Sequence, residues 1–254
     1  MPWNPDQYLT FQQQHFAPFD DLVQLVHGSK GMRVVDLGCG TGELTRRLAD
    51  MLPNSDVLGV DASSEMLVRA QEQACPGLRF EQARIEDTDG HWDLIFSHAA
   101  LQWVDEHSTL IPHLFDLLNP GGQLVVQQPS NHGHLAHRLI RQVAGENPFR
   151  EELSGFQRES PVLSIDAYAE LLWQAGGSDI VVYEKVYPHV LDNADAIADW
   201  VQGTALIPYM ERLPESLHEP FMQRYRDGLR RHYPQSPLFY AFRRTLFATT
   251  RTAV

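Results

Sequence analysis

The stretch Val34-Val35-Asp36-Leu37-Gly38-Cys39-Gly40-Thr41-Gly42 decides the fold: an apolar run stops at an acid and opens into glycines at alternate positions. The β-branched pair before Asp36 suits a strand of a parallel sheet, buried on both faces. Alternate glycines let the backbone turn sharply and meet a ligand with no Cβ in the way. The residues that follow, Glu43 to Met51, carry Leu44, Leu48 and Met51 on one face, as a helix does. Strand, glycine turn and helix in that order open a nucleotide-binding α/β domain.

Spacing narrows the nucleotide. Gly38, Gly40 and Gly42 spell G-x-G-x-G, whereas the dinucleotide fingerprint sets its third glycine one place later, where this chain has Glu43. A glutamate at that helix N-terminus repels the pyrophosphate the position would receive. S-adenosylmethionine (SAM) has no phosphate and carries a sulfonium cation, so Asp36 and Glu43 are tolerable beside it. The spacing therefore favours SAM over a dinucleotide, and over a loop that binds nothing. A second strand, Val57-Leu58-Gly59-Val60-Asp61, ends in an acid about twenty residues past the loop, where a carboxylate accepts both hydroxyls of a ribose. Asp61 with Ala62-Ser63-Ser64 also reads as the cap of a helix carrying Met66, Leu67 and Ala70, and the two roles are compatible.

At 254 residues and 43% hydrophobic content the chain can bury one substantial core plus a smaller lobe without a disulfide or a metal. Its net charge of −13 argues against nucleic-acid backbones and anionic membrane surfaces as partners, since both need a dense basic face. Positive charge gathers only at Arg224, Arg226, Arg230 and Arg231, which fit the solvated side of a long helix. Two cysteines, Cys39 and Cys75, make no disulfide framework and suit a reducing cytoplasm. The first thirty residues lack the apolar core of a signal peptide, and no run is long enough to cross a bilayer. A small molecule is the expected partner. Nothing in the sequence fixes the oligomeric state, and a monomer is compatible with it.

From residue 33 to 128 strands alternate with helices, the pattern of a parallel sheet covered on both faces. Strands are expected near 33–37, 57–61, 78–82, 93–97 and 122–128, and helices near 42–51, 64–74 and 108–118. The turn Asn119-Pro120-Gly121-Gly122 ends the last helix and launches the fifth strand. Residues 131–175 read as helices and loops, 178–188 as a strand, 193–233 as helical and 240–250 as a final strand. Insertions of this length are usually functional. The expectation is one domain over 1–254, with a lid formed by about 131–160 and 192–236 over the open end of the sheet.

Together these residues resemble class I SAM-dependent methyltransferases. The glycine turn, Asp61, the strand Asp93-Leu94-Ile95-Phe96-Ser97, the following Ala99-Ala100-Leu101-Gln102-Trp103, and Leu118-Asn119-Pro120-Gly121-Gly122 stand in that family's order and spacing. The chain further resembles trans-aconitate methyltransferases over nearly its whole length, through Trp3-Asn4-Pro5, Tyr8-Leu9 and Phe11, Asp199-Trp200-Val201, and Phe242-Arg243-Arg244. Malonyl-carrier-protein and juvenile hormone acid methyltransferases share parts of the pattern, and all three esterify a carboxylate. The resemblance implies a Rossmann-like sheet, mostly parallel with an antiparallel last strand. It also implies SAM as cofactor, S-adenosylhomocysteine as product, and cofactor contacts from Asp36, Gly38, Gly40, Gly42, Asp61, Ala62, Met66, Arg84, Ile85, Ser97, Tyr8 and Trp103.

Two departures matter. Where the family often has an acid for the adenine amino group, this chain has Arg84, so adenine recognition leans on backbone near Ile85 or on Glu86. Trans-aconitate enzymes, by the same pattern, place arginines at the positions held here by His15, Ala17 and Ile207. Each charged hydrogen bond is worth about 1.5–3 kcal/mol, so their loss predicts a less anionic, more apolar acceptor.

An ionised carboxylate needs no general base, whereas a hydroxyl or amine acceptor does, and a histidine then becomes relevant. His98, at the end of the fourth strand where α/β sheets place their ligands, is the foremost candidate, set against a turn-filling role. His132, His134 and His137 form H-x-H-x-x-H, but no carboxylate or cysteine stands at helpful spacing, and no metal is expected. His137 matches a histidine of the trans-aconitate pattern and is, with His98, a catalytic candidate; His132 is placed at the acceptor. Trp3, Trp200 and Tyr209 are aromatic candidates for the acceptor pocket, set against ordinary core packing. Arg244 could meet an acceptor carboxylate in bidentate fashion or form a rim salt bridge. Methylation of a hydroxyl, nitrogen or carbon, and a SAM-binding module without turnover, remain open alternatives.

Overall fold

Seven strands form one sheet in the order β3-β2-β1-β4-β5-β7-β6 in the computed structural model, which describes residues 12–253. The strands are β1 (Arg33–Leu37), β2 (Asp56–Asp61), β3 (Leu78–Gln82), β4 (Trp92–His98), β5 (Leu118–Pro129), β6 (Gly177–Leu191) and β7 (Leu238–Arg251). β1 pairs in parallel with β2 and β4, β2 with β3, and β4 with β5, while β7 runs antiparallel to β5. This is the expected Rossmann-like sheet with a reversed last strand.

The described chain packs as two compact units. The sheet unit comprises residues 12–129, Pro161–Lys185 and 244–253. Alternation along its strands sorts two apolar layers, one per face: Val35 and Leu37 of β1 join Ile95, Leu124 and Phe247, whereas Val34 joins Leu94, Phe96, Val125 and Leu246. Helix α1 (Gln12–Val23) adds fully buried Phe19 and Leu22 to the second layer. The sequence reading assigned no helix there, because glutamines and Pro18 interrupt its apolar face. Helix α2 (Glu43–Met51) follows the glycine turn, and α3 (Ser64–Ala70) is capped by the Ser63 hydroxyl, which accepts the Met66 N–H. Helix α4 (His107–Asp116) ends earlier than expected, and β5 begins at Leu118. Leu118 pairs with Trp92, and the register then shifts before Leu94 meets Gln123, so the Asn119–Gly122 turn lies inside the strand as a bulge.

The helical unit comprises Ser130–Ser160 and Val186–Arg243. Its helices are α5 (Leu135–Ala144), α6 (Phe149–Glu152), α8 (Ala194–Gln202), α9 (Ile207–Met210) and α10 (His218–His232), α7 (Ile165–Gln174) being part of the sheet unit. It has a core of its own, with Leu139, Ile140, Ile197, Val201, Phe221 and Leu229 buried together.

One buried polar hub lies in the first apolar layer of the sheet unit. The Tyr168 hydroxyl accepts from the Gln128 amide and from the Leu163 N–H at 3.2 Å, and donates to His107 Nδ1. His107 Nε2 in turn donates to the Leu101 carbonyl at 2.9 Å. Burial pushes the Tyr168 phenol up to about 12 and His107 down, so both are uncharged at neutral pH. Tyr168→Phe strands three buried groups at once and is expected to cost about 1–3 kcal/mol in urea denaturation. A loss under about 0.5 kcal/mol, the ordinary scatter of surface changes, would show that the hub contributes no net stability.

Candidate functional site

Parallel pairing of β1 to β5 sets their C-terminal ends side by side, and the chemistry of the sheet unit is concentrated in the loops that leave those ends. After β1, Gly38 (φ 77°), Gly40 (φ 56°) and Gly42 (φ 78°) adopt left-handed backbone. A Cβ on Gly38 would stand 2.2 Å from the Cβ of Ala100, and one on Gly42 2.8 Å from Phe80, so neither tolerates a side chain. A Cβ on Gly40 would meet nothing within 4 Å: the loop's crest is open, as a backbone cradle for a ligand must be.

Asp61, at the end of β2, holds this loop. One carboxylate oxygen accepts the Gly40 N–H and the other the Ser63 N–H, each at 2.9 Å. The preceding Val60 carbonyl accepts from Gly38 and Cys39 at 2.8 and 2.9 Å. Each Asp61 oxygen keeps a lone pair that could accept a further donor. Asp36 sits behind the loop, 4% exposed, accepting the Thr45 hydroxyl at 2.6 Å. Burial pushes its carboxyl up to about 7; the Thr45 bond opposes the shift and the Asp61 charge adds to it. The Cys39 thiol is likewise pushed up by burial and inert.

The other sequence candidates of this unit fall in the same row with distinct surroundings. Ala62 is exposed, and its carbonyl accepts the Gln82 amide at 2.9 Å, while Met66 is buried in α3. Ile85 is buried in the turn after β3, and neighbouring Arg84 is exposed and paired with Glu86. Ser97 is fully buried and donates to the Leu37 carbonyl at 2.9 Å, so its side chain fastens β4 to β1. His98 closes β4, 8% exposed, with its ring edge-on to Phe19 at 6.0 Å. Trp103 is half-buried in a short turn whose entry, Ala99, has φ 56°. Arg244 is 2% exposed and donates to Gln127 Oε1 at 3.3 Å; it is a buried guanidinium and no rim residue.

The remaining candidates belong to the helical unit. His137 is in α5, where burial pushes its imidazole down to about 4, and His132 lies just ahead of that helix, its carbonyl accepting from Arg141 at 3.2 Å. Trp200 packs against His189 and Phe242 at 5.1 and 5.4 Å. Tyr209 is a core residue, stacked on Phe221 at 6.1 Å, with its hydroxyl accepting the Arg158 N–H at 3.0 Å. Trp3 and Tyr8 lie outside the described residues. Sequence reasoning missed Thr45, Gln127 and Tyr168; only their partners across the fold give them meaning.

A sheet of this order carrying a glycine cradle and a strand-end acid defines a Rossmann-like cofactor-binding α/β enzyme. Comparisons with known proteins make that class specific. A methyltransferase-domain family model matches residues 28–183. The trans-aconitate 2-methyltransferase of Deinococcus radiodurans is 46% identical over 257 residues, covering 99% of each chain. That of Variovorax paradoxus is 38% identical over 238 residues, covering 92% of this chain and 91% of the relative. Among solved structures, YcgJ of Bacillus subtilis aligns with TM-score 0.62 at 16% identity over 94% of this chain and 99% of that one. Haemonchus contortus phosphoethanolamine N-methyltransferase 2 in complex with SAM aligns with TM-score 0.56 at 17% identity over 93% of this chain and 52% of that one. The chain belongs to the methyltransferase-domain family and, within it, to the trans-aconitate 2-methyltransferases; it is a SAM-dependent methyltransferase.

Asp36 supplies a prediction. A carboxyl whose native pKa lies above its unfolded value of 3.8 favours folding fully below 3.8, and that contribution is lost as pH rises towards about 7. Asp36→Asn, which stays neutral, should therefore gain in melting temperature over the parent as pH goes from 4 to 8. An equal difference at both ends would mean that Asp36 ionises with an ordinary pKa.

Proposed function

We propose that this chain transfers the methyl group of SAM to a carboxylate oxygen of a small-molecule acid, and that the acid carries less charge than a tricarboxylate. The observation that carries the reading is the 46% identity, over the full length, to a protein named for methylation of trans-aconitate. When bound, SAM supplies an electrophilic methyl: the carboxylate oxygen forms the new C–O bond as the C–S electron pair returns to sulfur, leaving an ester and S-adenosylhomocysteine.

The protein's part is to hold, orient and exclude water, which is worth up to about 7–11 kcal/mol in favourable systems. In this reading the open glycine cradle, Asp61 and Ala62 hold ribose and backbone of the cofactor. Asp36 and Met66 shape the floor, Arg84 and Ile85 flank the adenine, and Ser97, Trp103 and Tyr8 complete the wall. Arg244 draws in the carboxylate as a single buried cation, and residues 131–160 and 192–236 act as the lid. His132, His137, Trp3, Trp200 and Tyr209 contribute on the acceptor side. The positions of His15, Ala17 and Ile207, where the resemblance expects arginines, support a less anionic acceptor.

S-adenosylhomocysteine formation tests this with three acids: trans-aconitate, monomethyl fumarate and crotonate. The expected order of kcat/KM puts the two monocarboxylates above trans-aconitate; a clear preference for trans-aconitate would refute the reduced-charge reading, and no turnover of any acid would refute the carboxylate reading.

His98 separates acceptor chemistries. Because a carboxylate has no proton to lose, His98→Gln is expected to keep kcat within about tenfold of the parent. A general base removed would instead cost about 10²–10⁴-fold in kcat, with SAM binding intact, and would point to a hydroxyl or amine acceptor.

A further inference from the structure

At the end of the sheet opposite the glycine cradle, the starts of β1, β4 and β5 and the close of β7 surround a cavity of about 300 Å³. Its whole wall belongs to the sheet unit. At about 3.3 Å per strand residue, Met32 on that wall stands about 20 Å from Gly38, so the cavity is separate from the cofactor loop. Its volume suits a small ligand, since sites for larger ones run to about 1,000 Å³.

Hydrogen bonds fix the wall. Gln123, 4% exposed, pins the loop ahead of β1: its Oε1 accepts the His27 N–H at 2.7 Å, and its amide nitrogen lies 3.0 Å from His27 Nδ1 and 3.4 Å from the Leu25 carbonyl. Asp93 joins the strand starts, one oxygen accepting the Arg33 N–H at 2.8 Å and the other the Asn119 amide at 2.7 Å. Gly31 (φ 75°) and Gly121 (φ 82°) make left-handed turns at which a Cβ would meet nothing within 4 Å, so the rim is bare.

Two groups on this wall have bonding capacity left. Each Asp93 oxygen has accepted one N–H and keeps a lone pair. Thr250, opposite Gln123 in the β5–β7 register, has a hydroxyl that is buried and without a partner among the described residues. Buried polar groups are nearly always paired, and this one borders a cavity with room for a partner. Charge narrows what that partner is. Among the described residues Asp93 is the one carboxylate on the wall, and no lysine or arginine lines it. The neighbouring cations point elsewhere: the Arg33 guanidinium lies over the Trp92 ring at 4.6 Å, Arg251 donates to the Asp116 and Leu118 carbonyls at 2.7 and 2.8 Å, and Lys30 is exposed.

We propose that this cavity is a second binding site, for a small organic ammonium ion that also carries a hydroxyl. The ammonium donates to Asp93, and the hydroxyl pairs with that of Thr250. An anion is repelled by Asp93, and a neutral diol forgoes the charge-assisted bond, which is about twice as strong as a neutral one. The net charge of −13 adds to the attraction for a cation. The site stands independently of the acceptor reading.

Ethanolamine, ethylene glycol and glycolate test it, because they are alike in size and hydroxyl but differ in charge. In a proton–nitrogen NMR titration of the full chain with S-adenosylhomocysteine bound, ethanolamine should shift the backbone amides of Ser29, Gly31, Asp93 and Gly121 to saturation. Ethylene glycol and glycolate should bind at least about tenfold more weakly. Asp93→Asn should abolish the preference for ethanolamine over ethylene glycol. Thr250→Val, which removes the hydroxyl and keeps a β-branched strand residue, should weaken ethanolamine about fivefold and melt no lower than the parent. If Asp93→Asn does not fold, Thr250→Val decides. Shifts that do not saturate, shifts confined to residues 38–42, equal binding of the three probes or a preference for one of the other two would each overturn the site. So would unchanged ethanolamine binding by Thr250→Val.

Discussion

The carboxylate of Asp61 is the fastening on which the sheet end depends. Its two oxygens take the N–H groups of Gly40 and Ser63, one from each of the loops that leave β1 and β2, and so bind the glycine cradle to the start of α3. The Val60 carbonyl adds two N–H bonds from Gly38 and Cys39. A loop with three left-handed glycines has many conformations available and would lose much entropy on binding a ligand. Fixed in advance by β2, it has already lost that freedom, and ligand binding meets a smaller ordering cost. In the proposed cofactor site the acid has a second use, since a lone pair remains on each oxygen for a ribose hydroxyl. Asn would keep only one acceptor oxygen and could not serve both loops.

How far the sequence discloses this depends on the range of the interaction concerned. The strands β1, β2 and β3 and the turn after β1 are visible in the sequence because their signals are local: β-branched runs, an acid at a strand end, alternating glycines. The start of β5 is not, because Leu118 joins the sheet through its pairing with Trp92, and a bulge then takes up the turn that reads as a boundary. Helix α1 is hidden by Pro18 and its glutamines, and is held by Phe19 and Leu22 against strands far along the chain. Ser97 shows the limit for the site. The resemblance implies that it is a cofactor contact, and the structure adds a second role that sequence does not disclose: its hydroxyl is turned to Leu37, a partner sixty residues away. Tyr168, Tyr225 and Tyr240 look like any core aromatics in sequence; only the count of partners at each hydroxyl distinguishes a structural hub from two orphans.

Buried polar groups occur in both units. In the sheet unit Tyr168 pairs with His107, the Gln128 amide N–H and the Leu163 N–H, and Ser97 and Thr45 spend their hydroxyls on Leu37 and Asp36, while Gln127 Nε2 and Gln128 Oε1 are buried without a partner among the described residues. Closed networks rigidify a scaffold and fix where loops begin. In the helical unit the hydroxyls of Tyr225 and Tyr240 and the Nδ1 atoms of His134 and His137 are left without partners among the described residues.

In the proposed reaction an anionic carboxylate and a cationic sulfonium give a neutral ester and a neutral thioether, so charge disappears along the path. A fixed cation on the reacting oxygen stabilises the starting carboxylate more than the transition state, in which that charge is already part lost, and such uniform or ground-state binding lowers KM without raising kcat. In the proposed reaction one buried guanidinium, Arg244, would attract the acid, and each further arginine would add affinity at the expense of rate. A carboxylate methyltransferase with few cations at its acceptor is in this sense better matched to the chemistry, provided that its acid has a single charge to lose.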